Sequence, residues 1–441
     1  MGAGGAGIAS ALLASLRHEE VTLLEAHSAI GGCASYFRRG QFVFDVGATT
    51  ISGLGPGEPL DKLFSLLGSR PGLQLCDPGM VIHLSDGKKI LYHHDFELWM
   101  QELHKHFPHL NHRRFWENLR KINQLGWEFL DSIETFPFVT LSQWIAVFKK
   151  PRLLKVLGGL MISLDMSLKT HGLDHPLYRE LIDGILLISA QAESKNIPLL
   201  VGAMGLMYPA QTYAPVGGMK GLMDYFEGEL SLKNVILKKK NKVTNFSELK
   251  ADRLIFNISS WNLGELELAP LEKAQSWGAF TLYLGVKSTI SQTYHQVHLG
   301  HPLVKNYFVS FSVVGDSLRA PEGWQTVSIS THIEVRDNYD GLRGKIQTLI
   351  LNDFMNRFGI TETKHLSTGT PQTFEFFTGR KNGYVGGLPF LYGRNPWRLK
   401  NFFLKQKETY RVGDTIFPGQ GMCGVVAGAL GLHRYLAKRE A

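Results

Sequence analysis

Met1-Gly2-Ala3-Gly4-Gly5-Ala6-Gly7 opens the chain and decides its fold. Gly2, Gly4 and Gly7 form a G-x-G-x-x-G pattern, and the apolar residues that follow recur at helical spacing as far as Leu16. An apolar strand, Val21-Thr22-Leu23-Leu24, comes next and ends at Glu25. This order is typical of a dinucleotide-binding unit, because the glycines allow a tight turn, close backbone approach to a pyrophosphate and close helix–strand packing. Glu25 is placed to hydrogen-bond a ribose hydroxyl.

A dinucleotide-binding loop normally follows a buried strand, whereas here only Met1 precedes the first glycine. That strand would be central in a parallel sheet, and without it both neighbouring strands would lose hydrogen-bond partners. Three explanations are open at this point. The true start lies upstream, another segment fills the gap, or the dinucleotide binds poorly.

The composition predicts a folded protein of two or three domains, since 44% of the 441 residues are hydrophobic and 20% are charged. The formal net charge of +8 could favour an anionic surface, but we recognise no nucleic-acid-binding module and expect no nucleic-acid partner. Cys33, Cys76 and Cys423 are too few and too scattered for a disulfide framework or a zinc site. We expect no secretory signal and no membrane-spanning helix, because the weakly polar run 197–210 is shorter than the ~20 residues that a span needs.

Along the chain, α/β patterns occur in three separate segments. Long helical periodicity with many aromatic residues covers 95–205, and an α/β pattern returns at 208–260. A mixed pattern fills 277–395, and a last strand at Tyr410 leads through a glycine-rich turn into a helix at 425–436. A nucleotide-binding domain that is interrupted twice by a second domain would have this pattern.

Three further motifs strengthen the dinucleotide interpretation. The Gly31-Gly32 doublet lies just past Glu25, where backbone without side chains could approach a diphosphate. Val243 is predicted on a short strand, Lys242-Val243-Thr244, suited to backbone contact with adenine. Gly413-Asp414 ends a strand and precedes a helix whose N-terminal dipole could stabilise negative charge.

Together these motifs resemble a known family. Four stretches of the chain carry the resemblance: Gly31-Gly32-Cys33-Ala34-Ser35; Phe44-Asp45-Val46-Gly47-Ala48-Thr49; Pro371 with Phe374 and Gly379; and Gly413-Asp414-Thr415-Ile416-Phe417-Pro418-Gly419-Gln420-Gly421. In motif order they are similar to the FAD-dependent carotenoid desaturases and isomerases, which include phytoene desaturases, carotenoid 3',4'-desaturases, carotenoid isomerases and retinol saturases. The likeness covers nearly the whole chain and is thin between about 95 and 205.

The resemblance implies an α/β fold with an FAD-binding, Rossmann-like domain of the flavin amine oxidase type and an interleaved α+β substrate domain. The FAD-binding domain would comprise 1–90, 208–270 and 400–441, and the substrate domain 91–207 and 271–399. The implied FAD contacts are as follows: Gly2, Gly4 and Gly7 at the diphosphate, Glu25 at the adenosine ribose, Gly32 and Ser35 along the diphosphate and ribityl path, Val243 at adenine, Asp414 at the diphosphate–ribityl region, and Met422 facing the isoalloxazine.

The family also implies the chemistry: hydride transfer from a polyene C–H to the flavin, with loss of a proton from the neighbouring carbon. We therefore predict desaturation of a lipophilic polyene, an electron acceptor such as oxygen or a quinone, and a protein that is soluble or peripheral at the cytoplasmic side of a membrane. No catalytic acid or base is assigned. We predict no metal, because Pro108 interrupts the cluster of His104, His106, His109 and His112 and no cysteine or acidic ligand joins it.

Alternatives remain. The same flavin and substrates would serve a redox-neutral cis–trans isomerase that uses reduced FAD, and an amine or porphyrinogen oxidase is a more distant enzyme alternative. The missing first strand also admits a degenerate, flavin-free lipid-binding protein. The basic, aromatic-rich stretch from His93 to Lys169 is a candidate tunnel mouth on anionic lipid, with ordinary core packing as the competing interpretation.

Overall fold

The computed structural model describes residues 1–138, 141–246, 249–335 and 340–440. Its helices are α1 Gly5–Ser15, α2 Pro59–Leu67, α3 Phe96–His106, α4 Arg113–Ser132, α5 Leu141–Phe148, α6 Pro151–Met161, α7 Leu164–Thr170, α8 Pro176–Ser189, α9 Leu199–Met207, α10 Gly218–Leu232, α11 Ser260–Glu265, α12 Asp340–Phe358, α13 Pro371–Thr378 and α14 Gly421–Glu440. Its strands are β1 Thr22–Leu24, β2 Tyr36–Arg39, β3 Phe42–Asp45, β4 Leu73–Leu75, β5 Met80–His83, β6 Lys89–Tyr92, β7 Tyr213–Pro215, β8 Ile236–Lys238, β9 Leu254–Phe256, β10 Trp277–Lys287, β11 Tyr294–His301, β12 Val304–Phe311, β13 Trp324–Glu334, β14 Thr363–Gly369 and β15 Thr409–Arg411.

The Rossmann-like part contains two parallel strand pairs, β1 with β8 and β9 with β15. The first two residues of the chain lie between the pairs. The Gly2 amide donates to the Leu24 carbonyl at 2.8 Å, and the Met1 amino group donates to the Ile255 carbonyl at 2.7 Å. The Asn257 amide donates to the Met1 carbonyl at 2.8 Å. Met1 and Gly2 therefore supply, beside the carboxyl ends of β1 and β9, hydrogen bonds of the kind that a first strand would make.

Helices α1, α10 and α14 cover these strands and bury a common apolar core. Along α1, Ile8 and Leu12 are fully buried, and they belong to one cluster with Leu23, Phe226 and Val426. Burying an aliphatic side chain of this size contributes about 1.5–3 kcal/mol. The apolar residues whose spacing predicted α1 thus form its buried face. Through this face the helix that follows the glycine loop packs on the sheet.

The second part is built on a seven-stranded sheet with the order β14-β10-β13-β12-β11-β5-β6. Its pairs are antiparallel except that of β5 with β11. Helix α12 packs on one face through Ile346, Ile350 and Phe354. The predicted domain boundary at residue 90 falls inside this sheet, at β6, and the remaining boundaries stay predictions.

A helical layer formed by α3–α9 covers the other side of β5 and β6. Trp99, Phe115, Trp116 and Phe129 are buried there, and Tyr92 stacks on Trp99 with ring centroids 4.1 Å apart. The core-packing interpretation is therefore correct for Phe115 and Trp116, whereas Trp99 and Phe129 are buried and also line a cavity. Within the described ranges, no helix is both long enough and apolar enough to cross a membrane.

A buried ion pair connects the Rossmann-like part to the seven-stranded sheet. Asp45, at the end of β3, is fully buried, and its Oδ2 lies 3.0 Å from Nη2 of Arg319, in the loop before β13. Asp45 Oδ1 accepts the amide N–H of Met219 on α10 at 2.8 Å. Burial raises the pKa of Asp45, against the opposing attraction of the Arg319 guanidinium. Removing this pair from water therefore costs free energy on folding. Replacing one partner by a neutral residue would leave the other as an uncompensated buried charge.

We predict that Asp45→Asn lowers the free energy of unfolding by about 3 kcal/mol, because Arg319 would remain buried without a counter-ion. The amide oxygen of Asn keeps an acceptor for the Met219 amide, so the substitution tests the charge alone. Urea unfolding at pH 7 measures the loss. The double variant Asp45→Asn/Arg319→Met should recover at least half of it, and equal stability of the single variant and the wild type would contradict the prediction.

Candidate dinucleotide site and adjoining cavity

The glycine loop at the start of α1 is packed so closely that side chains are excluded. A Cβ on Gly7 would lie 1.9 Å from the Gly2 carbonyl oxygen, and one on Gly4 would lie 2.8 Å from Nδ2 of Asn257. Gly2 has φ of +87°, a conformation that L-residues rarely adopt. The loop therefore presents backbone to its surroundings, as a pyrophosphate-binding turn requires.

Glu25 lies beside this loop, at the end of β1. One carboxylate oxygen accepts the Ala3 amide at 2.7 Å, and the other accepts the His27 amide at 2.8 Å. Each oxygen accepts one backbone hydrogen bond, and a carboxylate oxygen can accept a second. The carboxylate is thus fixed next to the loop, with capacity left for a ribose hydroxyl.

The Gly31-Gly32 doublet packs against the same loop. The Gly31 amide donates to the Ala3 carbonyl at 2.7 Å, and a Cβ on Gly32 would lie 3.4 Å from Cα of Gly4. Both residues have positive φ, +107° and +57°. Ser35 follows, and its Oγ is buried without a hydrogen-bond partner. An unpaired buried hydroxyl is costly, which is consistent with a ligand contact at this position.

The carboxyl-terminal motif reaches this region from the other side. Gly413 has φ of +128°, and a Cβ there would lie 3.0 Å from Oδ1 of Asn257. Met422, in the first turn of α14, touches the glycine loop: a Cβ on Gly5 would lie 2.7 Å from its Sδ. Asp414 forms an ion pair with Arg380 at 2.8 Å, and Arg380 Nη1 also lies 3.5 Å from Cys33 Sγ. The predicted contact residues from both ends of the chain are thereby brought together.

The predicted strand at 242–244 is wrong, because this segment is extended loop without strand pairing. Three consecutive lysines precede this segment, and no strand among the described residues pairs with it. Its neighbour Asn241 nevertheless donates its amide to the Glu25 carbonyl at 2.8 Å. Val243 is half-buried on a loop that starts beside Glu25, and its contact with adenine stays a prediction.

Sequence reasoning missed two residues of the site. Asn257 donates from Nδ2 to the Gly2 carbonyl at 3.2 Å and separates that loop from Gly413. Its position directly after an apolar strand could have identified it, because ligands bind at the carboxyl ends of parallel strands. Arg380 carries no local signal, since only the fold brings it next to Cys33 and Asp414.

A cavity of about 1140 Å³ adjoins the start of α14 and extends between α4, α6 and α9. At the α14 end it is lined by Phe417, Pro418 and Cys423. Apolar side chains of its helical walls include Trp127, Phe129, Leu160, Leu200 and Met204, and α4 also contributes the charged side chains of Glu117, Arg120, Lys121 and Glu128. It is large enough for a long apolar molecule, and Cys423 in its wall directly follows Met422, the residue predicted to face the flavin ring.

A few polar groups line the α14 end of the cavity. Burial raises the pKa of the Cys423 thiol to about 12 and also raises the pKa of Glu58. The Tyr208 hydroxyl lies 2.6 Å from the Thr50 hydroxyl. Glu58 accepts the Gly55 amide at 3.1 Å. The Cys423 thiol is therefore protonated at neutral pH.

The histidine cluster does not converge. The rings of His104 and His112 are 6.4 Å apart between centroids, and His106 lies 3.1 Å from a Glu102 carboxylate oxygen. Across the described ranges, no group of three or more His, Cys, Asp or Glu side chains has a metal-binding arrangement.

Comparisons with known proteins agree with this geometry. The family model described as NAD(P)-binding Rossmann-like domain matches residues 1–67. Prolycopene isomerase 2 of an Oncidium hybrid cultivar is 25% identical over 99% of this chain and 83% of its own length. The prolycopene isomerase of Daucus carota is 25% identical over 99% of this chain and 79% of its own.

Solved structures show the same fold. An oxidoreductase from Methanosarcina mazei superposes with a TM-score of 0.65 at 16% identity, covering 98% of both chains. Cyclohexylamine oxidase from Brevibacterium oxydans gives a TM-score of 0.60 at 14% identity, covering 100% of this chain and 98% of its own. The α/β, flavin amine oxidase-like fold is therefore confirmed. The predicted resemblance to the FAD-dependent carotenoid desaturase and isomerase family is also confirmed, since the chain is similar over nearly its whole length to the prolycopene isomerases.

Proposed function

We propose that this chain is an FAD-dependent enzyme that acts on a lipophilic polyene of the carotenoid type. The observation that carries the proposal is the cavity of about 1140 Å³ that runs from the first turn of α14 into the helical layer. The apolar part of its wall suits a hydrocarbon chain. At its α14 end it is lined by Cys423, the residue after Met422, and the Met422 side chain touches the glycine loop at Gly5. A substrate in the cavity would thus meet the flavin end of a bound dinucleotide.

The residues present fit the cofactor. The loop of Gly2, Gly4 and Gly7 exposes backbone for a diphosphate, Glu25 has acceptor capacity for a ribose, and the Ser35 hydroxyl lacks a partner. When bound, the flavin ring supplies hydride acceptance and donation, which no side chain of the protein offers. The chain's own residues hold the cofactor, align the polyene and exclude water from it.

Of the two reactions open to such a site, the relatives favour cis–trans isomerisation. The chain shares 25% identity over almost its whole length with proteins named prolycopene isomerase. Desaturation is the second candidate, because the same cofactor and the same cavity would serve it. It would consume an electron acceptor such as oxygen or a quinone, whereas isomerisation would consume none.

A membrane surface is the proposed partner, because a lipophilic polyene is stored in a bilayer. Helices α5–α7 expose a group of large apolar side chains: Leu141, Ile145, Phe148, Met161, Ile162 and Met166. Exposed Lys149, Lys150, Arg152 and Lys155 lie on the same segment. On α6, Leu160 lines the cavity while Met161 is 64% exposed, so one helix joins the apolar surface to the cavity. Apolar groups flanked by lysine and arginine are typical of binding to anionic lipid.

Cofactor binding tests the proposal first. The purified protein should be yellow, and Glu25→Gln should raise the FAD dissociation constant roughly 10-fold or more, because it removes a charged acceptor worth about 1.5–3 kcal/mol. Quenching of flavin fluorescence on titration measures the constant. Glu20→Gln, an exposed residue five positions earlier, is the matched control and should bind as the wild type does. A colourless wild type that takes up no FAD would instead support a flavin-free lipid-binding protein.

An anaerobic assay separates the two reactions. With pre-reduced FAD and a poly-cis carotene in detergent, we expect a product of unchanged mass and a flavin that stays reduced over many turnovers. Mass spectrometry with absorbance at the flavin bands measures both quantities. In a parallel anaerobic reaction with oxidised FAD, a product lighter by two hydrogens together with stoichiometric reduction of the flavin would establish desaturation in place of isomerisation.

Vesicle flotation tests the membrane surface. Vesicles with anionic lipid should float the wild type, and the triple variant Leu141→Ser/Phe148→Ser/Met161→Ser should reduce the bound fraction several-fold, because it removes the exposed apolar contacts. Leu232→Ser is the control, since Leu232 is 74% exposed on α10, in the Rossmann-like part. A wild type that stays at the bottom of the gradient would contradict the proposal.

A further inference from the structure

Arg380 joins three loops that surround the candidate diphosphate position. It follows Gly379, the residue at which α13 ends with φ of +67°. Its Nη1 donates to Asp414 Oδ2 at 2.8 Å, and its Nη2 donates to Asp414 Oδ1 at 3.1 Å. Nη1 also donates to Cys33 Sγ at 3.5 Å. The guanidinium therefore lies between the Gly31–Ser35 turn and the Gly413–Asp414 turn.

The position of this side chain is fixed by its surroundings. Only 12% of the Arg380 side chain is exposed. The backbone on both sides is held by Asn262, which donates to the Gly379 carbonyl at 2.9 Å and accepts the Lys381 amide at 3.4 Å. A buried, doubly bonded guanidinium of this kind differs from a surface ion pair, whose contribution is small.

One edge of the guanidinium is unused. Asp414 takes one hydrogen from each terminal nitrogen, whereas the Nε–H is buried and has no partner. Nη2 has a second hydrogen that points in the same direction as Nε–H, so the two form a parallel pair of donors. Such a planar pair matches two oxygens of a phosphate and favours Arg over Lys.

The charges around the site require a cation. Glu25 and Asp414, two of the predicted cofactor contacts, are acidic, and a dinucleotide diphosphate adds two further negative charges. Repulsion between close like charges in a partly desolvated site is unfavourable, and a fixed guanidinium offsets it. Arg380 is the cation that touches both turns.

We propose that Arg380 is a diphosphate-binding residue: Asp414 anchors its outer edge, and the free Nε–Nη2 edge binds phosphate oxygens of the dinucleotide. This inference rests on the proposed function, because it assumes that a dinucleotide occupies the glycine loop. Asp414 then acts mainly by orienting Arg380. In this arrangement Asp414 lies near the diphosphate, but the Asp414 carboxylate does not have to face the phosphates.

Three ligands separate this role from a structural one. FAD and ADP carry a diphosphate, whereas riboflavin carries the flavin ring without phosphate. Arg380→Met and Arg380→Lys should each raise the dissociation constants of FAD and ADP about 10- to 100-fold and leave that of riboflavin unchanged. Flavin fluorescence on the full-length, flavin-depleted protein measures FAD and riboflavin, and displacement of FAD measures ADP. Arg380→Lys retains a charge for Asp414, so it protects the test against a variant that fails to fold.

Lys381→Gln is the matched control, since Lys381 is the next residue but pairs with Glu265 at 2.6 Å. It should bind all three ligands as the wild type does. Equal losses for FAD and riboflavin in the Arg380 variants would overturn the inference in favour of a structural role, and so would unchanged FAD binding. A wild type that binds no FAD would overturn the proposed function and this inference together.

Discussion

Contact of backbone with backbone at the glycine loop is the constraint on which the site depends. Gly7 touches the Gly2 carbonyl, and Gly2 and Gly4 lie against Asn257, so none of the three glycines has room for a Cβ. The loop can be this compact only because α1 is buried along its apolar face and because Met1 and Gly2 are hydrogen-bonded to both strand pairs. Every other element of the site is positioned relative to this loop.

The residues that contact this loop come from distant parts of the sequence. Glu25 holds the loop by accepting the Ala3 amide, and Asn257 connects it to Gly413 more than 400 residues away from Gly2. Arg380 closes the arrangement by joining Cys33 to Asp414. Short local patterns at the two ends of the chain therefore describe parts of one site.

These patterns explain what sequence reasoning could and could not find. The loop glycines, Glu25 and the Gly413-Asp414 turn are recognisable because backbone conformation restricts which residues fit them. Arg380 escapes such reasoning, since nothing in its neighbourhood along the chain requires a guanidinium, whereas Asn257 has only the weak signal that it directly follows an apolar strand. Their roles arise from packing between segments. The predicted strand at 242–244 fails for a related reason, because local apolar content does not supply a pairing partner.

The fold, too, is predictable from the sequence only in part. Helical periodicity identified the layer of α3–α9 but could not show which of its aromatic side chains are core and which line a cavity. Trp116 and Trp127 both lie on α4, yet Trp116 is fully buried in the core whereas Trp127 lines the cavity. The distinction depends on where α14 meets that layer. The cavity exists because the first turn of α14, fixed against Gly5 through Met422, faces helices that belong to the other part of the molecule. The start of α14 thus borders both the glycine loop and the cavity, so a change that moves it would alter both together.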